Sequence, residues 1–448
     1  MSTVKSLGTG MSRRNFLRAA AGTVGAVGLA PVGKLGPWLK PPQQGTVTGK
    51  VEIWGYTGTI DHFIAAKDTL EKKYPGLQIV TQQWEYDTAH QNVLNALVSG
   101  QGVPDLVNFD VDYTGGFGAG LSDLTEKFKP YVDQYVEIAV KLGTYQGKLV
   151  GLPQDNEPMG FAYRSDIFDK YKITEDDLAT WAGFVEAGKK LWKDSGQTIK
   201  MISMDAPGSQ MPVLGIPHQI HEVFLHLAGY HGVFFDKDDT KVILEEPTAI
   251  AAIKVFKTIC DPDVSFISQT TDASLAAYKA GLAATNIFPA WWQYALASNL
   301  PDEKGNWRVM KLPALEKDGL RAAFQIPTVT GIPAQAPNPD GAWAVLYDAQ
   351  MTEEAQQKFY DNSHILPTNK KVVTKLEDTP LDYFGGQKVY GLLDSTLKDL
   401  DYVSFGKGWP QARAIMTSGI EPIMRGEQTV EDGMHAVAEE MRRKLNKK

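Results

Sequence analysis

Polar and apolar residues alternate from Lys50 to Trp54, with Val51 and Ile53 on one face, which predicts a strand. Thr57-Gly58-Thr59 predicts a turn. Ile60, Phe63, Ile64 and Leu70 recur at helical spacing, and Pro75-Gly76 ends that helix. Leu77 to Val80 reads as a second strand. Val93, Leu94, Leu97 and Val98 mark a second helix, stopped by Gly100 and Gly102, and Asp105 to Phe109 reads as a third strand. Helices between strands imply parallel pairing with right-handed crossovers. Open sheets of this kind bind ligands beyond the carboxyl ends of their strands. The loops after Trp54, Trp84 and Phe109 are therefore the ones to watch. At the far end, Val430, Met434, Val437, Met441 and Leu445 form one apolar stripe. Thr429 is placed to cap that helix with Asp432 three residues on. Acidic residues lie ahead of the basic end Arg442 to Lys448, in keeping with the helix dipole.

Ahead of the fold the pattern is different. Arg13-Arg14 stands before Phe16-Leu17 and a short apolar run from Ala19 to Ala30. A membrane-spanning helix needs about 20 apolar residues, so this run reads as an export signal that resembles the twin-arginine type. Pro31 follows Ala30 and obscures a cleavage site, so an uncleaved tether stays open. Gly33 to Gly49, with Pro37, Pro41 and Pro42, reads as a linker. Residues 1–45 are assigned to signal and linker, and the expected location is the periplasm or the outer face of the cytoplasmic membrane.

Composition narrows the picture further. At 448 residues the chain exceeds what one core serves, which predicts two lobes. A net charge of -8, with no later basic run, argues against a nucleic-acid partner. A single cysteine, Cys260, excludes an internal disulfide and a multi-thiolate metal site and is expected to be a small buried residue.

Several segments, in order, resemble the bacterial extracellular solute-binding proteins of the maltose-binding type. They are Val51-Glu52-Ile53-Trp54, Pro104-Asp105-Leu106-Val107, Asp112-Tyr113-Thr114-Gly115-Gly116-Phe117, Gly151-Leu152-Pro153 with Asn156-Glu157, Ala276 to Gly281 leading to Trp291, and Arg425 to Asp432. The resemblance spans nearly the whole chain after the signal. It implies an α/β, two-lobed periplasmic-binding-protein fold (type II), with a mixed sheet flanked by helices in each lobe and the ligand cleft between them. The N-terminal lobe is expected at 46–155 and 329–370, and the C-terminal lobe at 156–328 and 371–448. It also implies a monomer that uses no cofactor, closes on a sugar and delivers it to the membrane permease subunits of an ABC importer.

A sugar offers hydroxyls at its edge and C–H patches on its faces, so its site should mix aromatic rings with carboxylates, amides and arginine. Trp54 and Tyr56 end the first strand, and Trp84, Glu85 and Tyr86 follow the second. Core packing competes evenly with ligand contact for Trp54 and Trp84. Asp110, Asp112 and Tyr113 follow the third strand, and Asp112 matches the family's polar sugar-binding position. Glu157 matches a carboxylate facing the cleft in relatives. Trp291, by count from Gly281, matches a ligand tryptophan. Trp409 and Arg413, four apart, match an aromatic and an arginine that close over the sugar, with Pro410 tolerable in a first helical turn.

Enzyme readings find less support. His221 and His226 lie five apart, about 140° round a helix, and so miss the four-residue spacing of a zinc-protease motif. There is no Gly-x-Ser-x-Gly elbow and no Walker loop. No catalytic residue and no metal site are expected. A binding protein for a polyamine, a phosphodiester or a metal chelate is the main alternative, and an exported carbohydrate-active enzyme the weaker one.

Overall fold

The computed structural model describes residues 47–205, 220–229, 234–268, 271–290, 292–400 and 405–448. The strand expected from Lys50 runs from Thr48 to Tyr56 and pairs in parallel along its whole length with Gly76–Trp84. Val51 and Ile53 are fully buried, while the alternate residues Lys50, Glu52 and Trp54 stay partly or wholly exposed, as the alternation requires. The helices between the strands cover Asp61–Lys73 and Tyr86–Ser99. Gly100 ends the second with φ +67°, a left-handed cap that glycine adopts without cost. Apolar spacing overstates that helix's inner face, because Val98 is 77% exposed.

Two five-stranded sheets result. The first has the order Gly76–Trp84, Thr48–Tyr56, Leu106–Asp110, Thr328–Gly331, Leu152–Pro153. Its first three strands are parallel, and Thr328–Gly331 runs antiparallel to both its neighbours. The second has the order Trp307–Met310, Met159–Arg164, Ala283–Pro289, Lys200–Asp205, Ser265–Ser268. Both sheets are mixed.

The chain leaves the first sheet at Pro153, enters the second at Met159 and returns at Thr328. These connecting stretches are tied to one another. The Gln154 amide donates to the Thr328 carbonyl at 3.0 Å, and the Asn156 amide to that of Leu366 at 2.8 Å. The Gln325 amide donates to the Glu157 carbonyl at 2.9 Å. The Asp155 carboxylate accepts from the Thr328 amide at 2.7 Å.

The closing part of the chain is helical, with helices at Lys370–Glu377, Val389–Leu397, Trp409–Met424 and Val430–Leu445. Thr429 caps the last helix, its Oγ1 accepting from the Asp432 amide at 3.0 Å, and Val430, Met434, Val437 and Met441 are buried as the stripe predicts. Cys260 is buried, and burial pushes its thiol up to about 12, so it stays protonated.

A candidate solute site at the carboxyl ends of the first sheet

Tyr56, Trp84 and Asp110 are each the last residue of a strand in the first sheet. Parallel pairing brings these ends together, with Tyr56 opposite Trp84. Beyond Asp110 the chain makes a tight turn, Val111–Tyr113, all three residues of which are buried.

Asp110 sits at the centre of a ring of hydroxyls. Tyr56 Oη donates to its Oδ1 at 2.6 Å and Tyr86 Oη to its Oδ2 at 2.9 Å. The two phenol rings meet edge-on at 5.1 Å. His90 completes the cluster, stacking on Tyr113 at 3.9 Å. One ring nitrogen lies 2.8 Å from the Tyr86 carbonyl and the other accepts from the Asp110 amide at 3.4 Å. Burial pushes the His90 imidazole down to about 3, so it is neutral, and these contacts assign the proton to Nδ1.

Asp112, fully buried, reaches the other half of the molecule. Its Oδ2 accepts from Trp409 Nε1 at 2.5 Å. Its Oδ1 is buried with no partner in hydrogen-bonding geometry. Trp409 opens the helix Trp409–Met424, where Pro410 stands in the first turn and costs no backbone bond. Arg413, one turn on, places its guanidinium 5.6 Å from the Tyr86 ring centre. Burial raises the Asp110 and Asp112 carboxyls, mutual repulsion raises Asp112 further, and Arg413 opposes both effects. Asp155, in the first connecting stretch, is raised chiefly by burial, with its amide bond to Thr328 opposing.

Of the ten residues expected from sequence, six therefore converge: Tyr56, Asp110, Asp112, Tyr113, Trp409 and Arg413. Trp409 is held differently from a free sugar platform. Its ring is fully buried, stacked on Phe234 at 4.6 Å and met edge-on by Phe405 at 4.7 Å. Trp54 and Trp84 meet at right angles, 5.1 Å apart, and line a separate open groove of about 710 Å³ with Glu52, Asn92, Asn95 and Asp105. Trp54 Nε1 is anchored on Glu52 at 2.8 Å. Glu157 is buried in the first connecting stretch. Trp291 lies outside the described residues. Sequence reasoning missed His90 and the buried Asp155; the four-residue step from Tyr86 to His90 on one helical face was the signal for the first.

Among the described residues, no group of three or more His, Cys, Asp or Glu is arranged to hold a metal ion. His226, from the near-zinc motif, is buried and stacked on Phe324 at 4.8 Å.

Residues 65–381 match the family model described as bacterial extracellular solute-binding protein. The chain belongs to the bacterial extracellular solute-binding proteins. Among curated solute-binding proteins, the arabinooligosaccharide-binding protein of Bacillus subtilis is 23% identical over 89% of this chain and 93% of its own length. The lactose-binding protein of Rhizobium radiobacter is 21% identical over 84% and 89%. Two solved solute-binding structures share the fold. The sugar-binding protein MalE from Xanthomonas citri has a TM-score of 0.73 at 15% identity, covering 89% of this chain and 98% of its own. The GacH receptor of Streptomyces glaucescens has a TM-score of 0.70 at 17% identity, covering 89% and 99%.

Proposed function

We propose that this protein is an exported carbohydrate receptor that captures a mono- or oligosaccharide in the cleft between its lobes and delivers it to the permease of an ABC importer. The carrying observation is the meeting of Asp112 and the Tyr56–Tyr86–His90–Tyr113 ring cluster with Trp409 and Arg413 from the other half of the molecule. Rings beside carboxylates and one guanidinium suit a ligand with hydroxyls at its edge and C–H on its faces. The sugar-binding names of the relatives support the same class. The lobes run 46–155 with 329–370 and 156–328 with 371–448, a division supported by the strand membership of the two sheets. Glu157 and Trp291 are assigned to ligand contact alongside the convergent six, and Trp54 and Trp84 to contact with the part of a longer ligand that reaches their own groove. Neither catalysis nor a cofactor enters this reading; the protein acts as a monomer, with no nucleic-acid partner, outside the cytoplasm.

Closure on the ligand stabilises the folded chain, so a sugar that binds raises the melting temperature in proportion to the logarithm of its concentration. A thermal-shift panel of arabino-oligosaccharides, lactose, maltose and galactobiose tests this. Trp291→Ala is expected to weaken the best binder about fivefold, the worth of one stacked ring, with the ligand-free melting temperature unchanged. Unaltered affinity removes Trp291 from the site.

A second reading rests on charge. Asp110, Asp112 and Asp155 are buried, and Arg413 offsets the charge of the first two alone, which suits a cation such as a polyamine. Spermidine in the same panel separates the two, because a cation stabilises the protein only where these carboxyls are ionised.

A further inference from the structure

The second sheet ends where the chain crosses between lobes, and that end carries side-chain amides with buried, unpartnered polar atoms. Pro289, last residue of its strand, pairs with Met159, and Pro158 bridges to Phe324. The start of the helix Trp292–Asn299, the stretch Asn156–Pro158 and the stretch Phe324–Gln325 therefore converge by register. Gln293 lies in the first turn of that helix and is 3% exposed. Both its Oε1 and its Nε2 are buried without a hydrogen-bond partner. The same holds for Nδ2 of Asn156, a residue 2% exposed, and for Oε1 of the half-buried Gln325.

Native chains leave few buried polar groups unpaired, because each forfeits the hydration it had in the unfolded chain. Three such amides at one crossing point need a partner that brings both donors and acceptors. We infer that Gln293, Asn156 and Gln325 form an uncharged amide wall that selects a neutral ligand with adjacent hydroxyls. A carboxamide donates from nitrogen to one hydroxyl oxygen and accepts at oxygen from the next hydroxyl, so its two ends match a vicinal diol. These three amides give a charged solute no countercharge, and the one ionisable side chain in the same stretch, Glu157, would repel an anion. This rests on the carbohydrate reading above and extends it, as the opposite wall of the cleft supplies the carboxylates Asp110 and Asp112.

Gln293→Met tests the wall, since methionine keeps the unbranched shape and removes both polar ends. If the amide serves the ligand, the ligand-free variant melts at the same temperature as wild type or above it, because an unsatisfied buried group is gone. The Kd for the best sugar of an arabino-, galacto- and malto-oligosaccharide panel, read by calorimetry, then rises at least tenfold, about what two neutral hydrogen bonds supply. A lower ligand-free melting point, or failure to fold, makes the amide structural and overturns the inference; so does an unchanged Kd. Gln325→Met, at a half-buried position, repeats both readouts where folding is less at stake. A panel in which no sugar shifts the wild-type protein sinks the carbohydrate reading separately. The ligand-free melting comparison then decides the amide wall alone, an unchanged or higher value supporting it and a lower one overturning it.

Discussion

Asp112 does two things at once: it anchors Trp409 across the molecule and it holds a proton that an exposed carboxyl would release. Burial and the neighbouring Asp110 hold its carboxyl above the usual carboxylate range. Asp110 and Asp155 are raised as well, while His90, buried among them, is neutral and offers no compensating charge. A carboxyl with a raised folded pKa binds its proton more tightly in the folded chain than in the unfolded one. Its stabilising effect is present at low pH and is lost as pH climbs through the folded value. Ligand-free protein is therefore expected to lose melting temperature as pH rises from about 5 to about 8. Asp112→Asn keeps an acceptor for Trp409 Nε1 and removes the ionisation. It should flatten that slope and raise stability at the alkaline end. A slope as steep as wild type in the variant would show that Asp112 does not carry the effect.

At the scale of elements, the segment that introduces the Trp409 helix is fastened from behind. Lys447 donates to the Asp239 carbonyl at 2.5 Å and to its carboxylate. The second carboxylate oxygen of Asp239 accepts from the Lys407 amide at 3.1 Å. Lys447 also lies 4.5 Å from the Phe235 ring centre, and the neighbouring Phe234 stacks on Trp409. Gly406 has φ +76°, and a Cβ there would collide with the Asp239 carboxylate. Gly406→Ala should thus cost both backbone strain and this clamp, with a loss of about 1–3 kcal/mol in urea unfolding. Lys447→Ala should instead weaken sugar affinity severalfold with a smaller stability loss, read by calorimetry beside urea unfolding. Equal affinity in Lys447→Ala would mean that the helix holds its place unaided.

The same scale shows what was legible in advance. Alternation and helical spacing disclosed the first three strands, the helices between them and the capped last helix, because each of those buries one face of a local period. Ile64 and Val98 fit the spacing yet are exposed, since neighbouring elements do not cover every apolar position. The strands Leu152–Pro153 and Thr328–Gly331 were not legible as strands. They are two and four residues long and exist only through pairing with residues far off in the chain. The site divides likewise. Tyr56, Asp110 and Asp112 were readable from strand ends, whereas the stacking of Trp409 on Phe234 and the unpaired amide of Gln293 depend on packing that no local pattern encodes.

For the whole molecule, the two halves touch backbone to backbone. A Cβ on Gly115, in the turn after Asp112, would stand 2.7 Å from the Gly406 carbonyl carbon and oxygen. Gly115 carries no left-handed strain, so Gly115→Ala alters only this approach. The variant is expected to push the two backbones apart, lowering the ligand-free melting temperature and losing most of the sugar-induced thermal shift and of the compaction seen by small-angle scattering. A full shift in the variant would mean that the halves need not come this near.

The bonds that link the connecting stretches carry a further implication. Asn156 to Leu366, Glu157 to Gln325 and Asp155 to Thr328 lace separate passages of chain into one ribbon at the boundary. A laced ribbon flexes about its long edge but resists shear, so a protease nick between Met310 and Phe324 should leave a complex that migrates as one particle and parts only in denaturant.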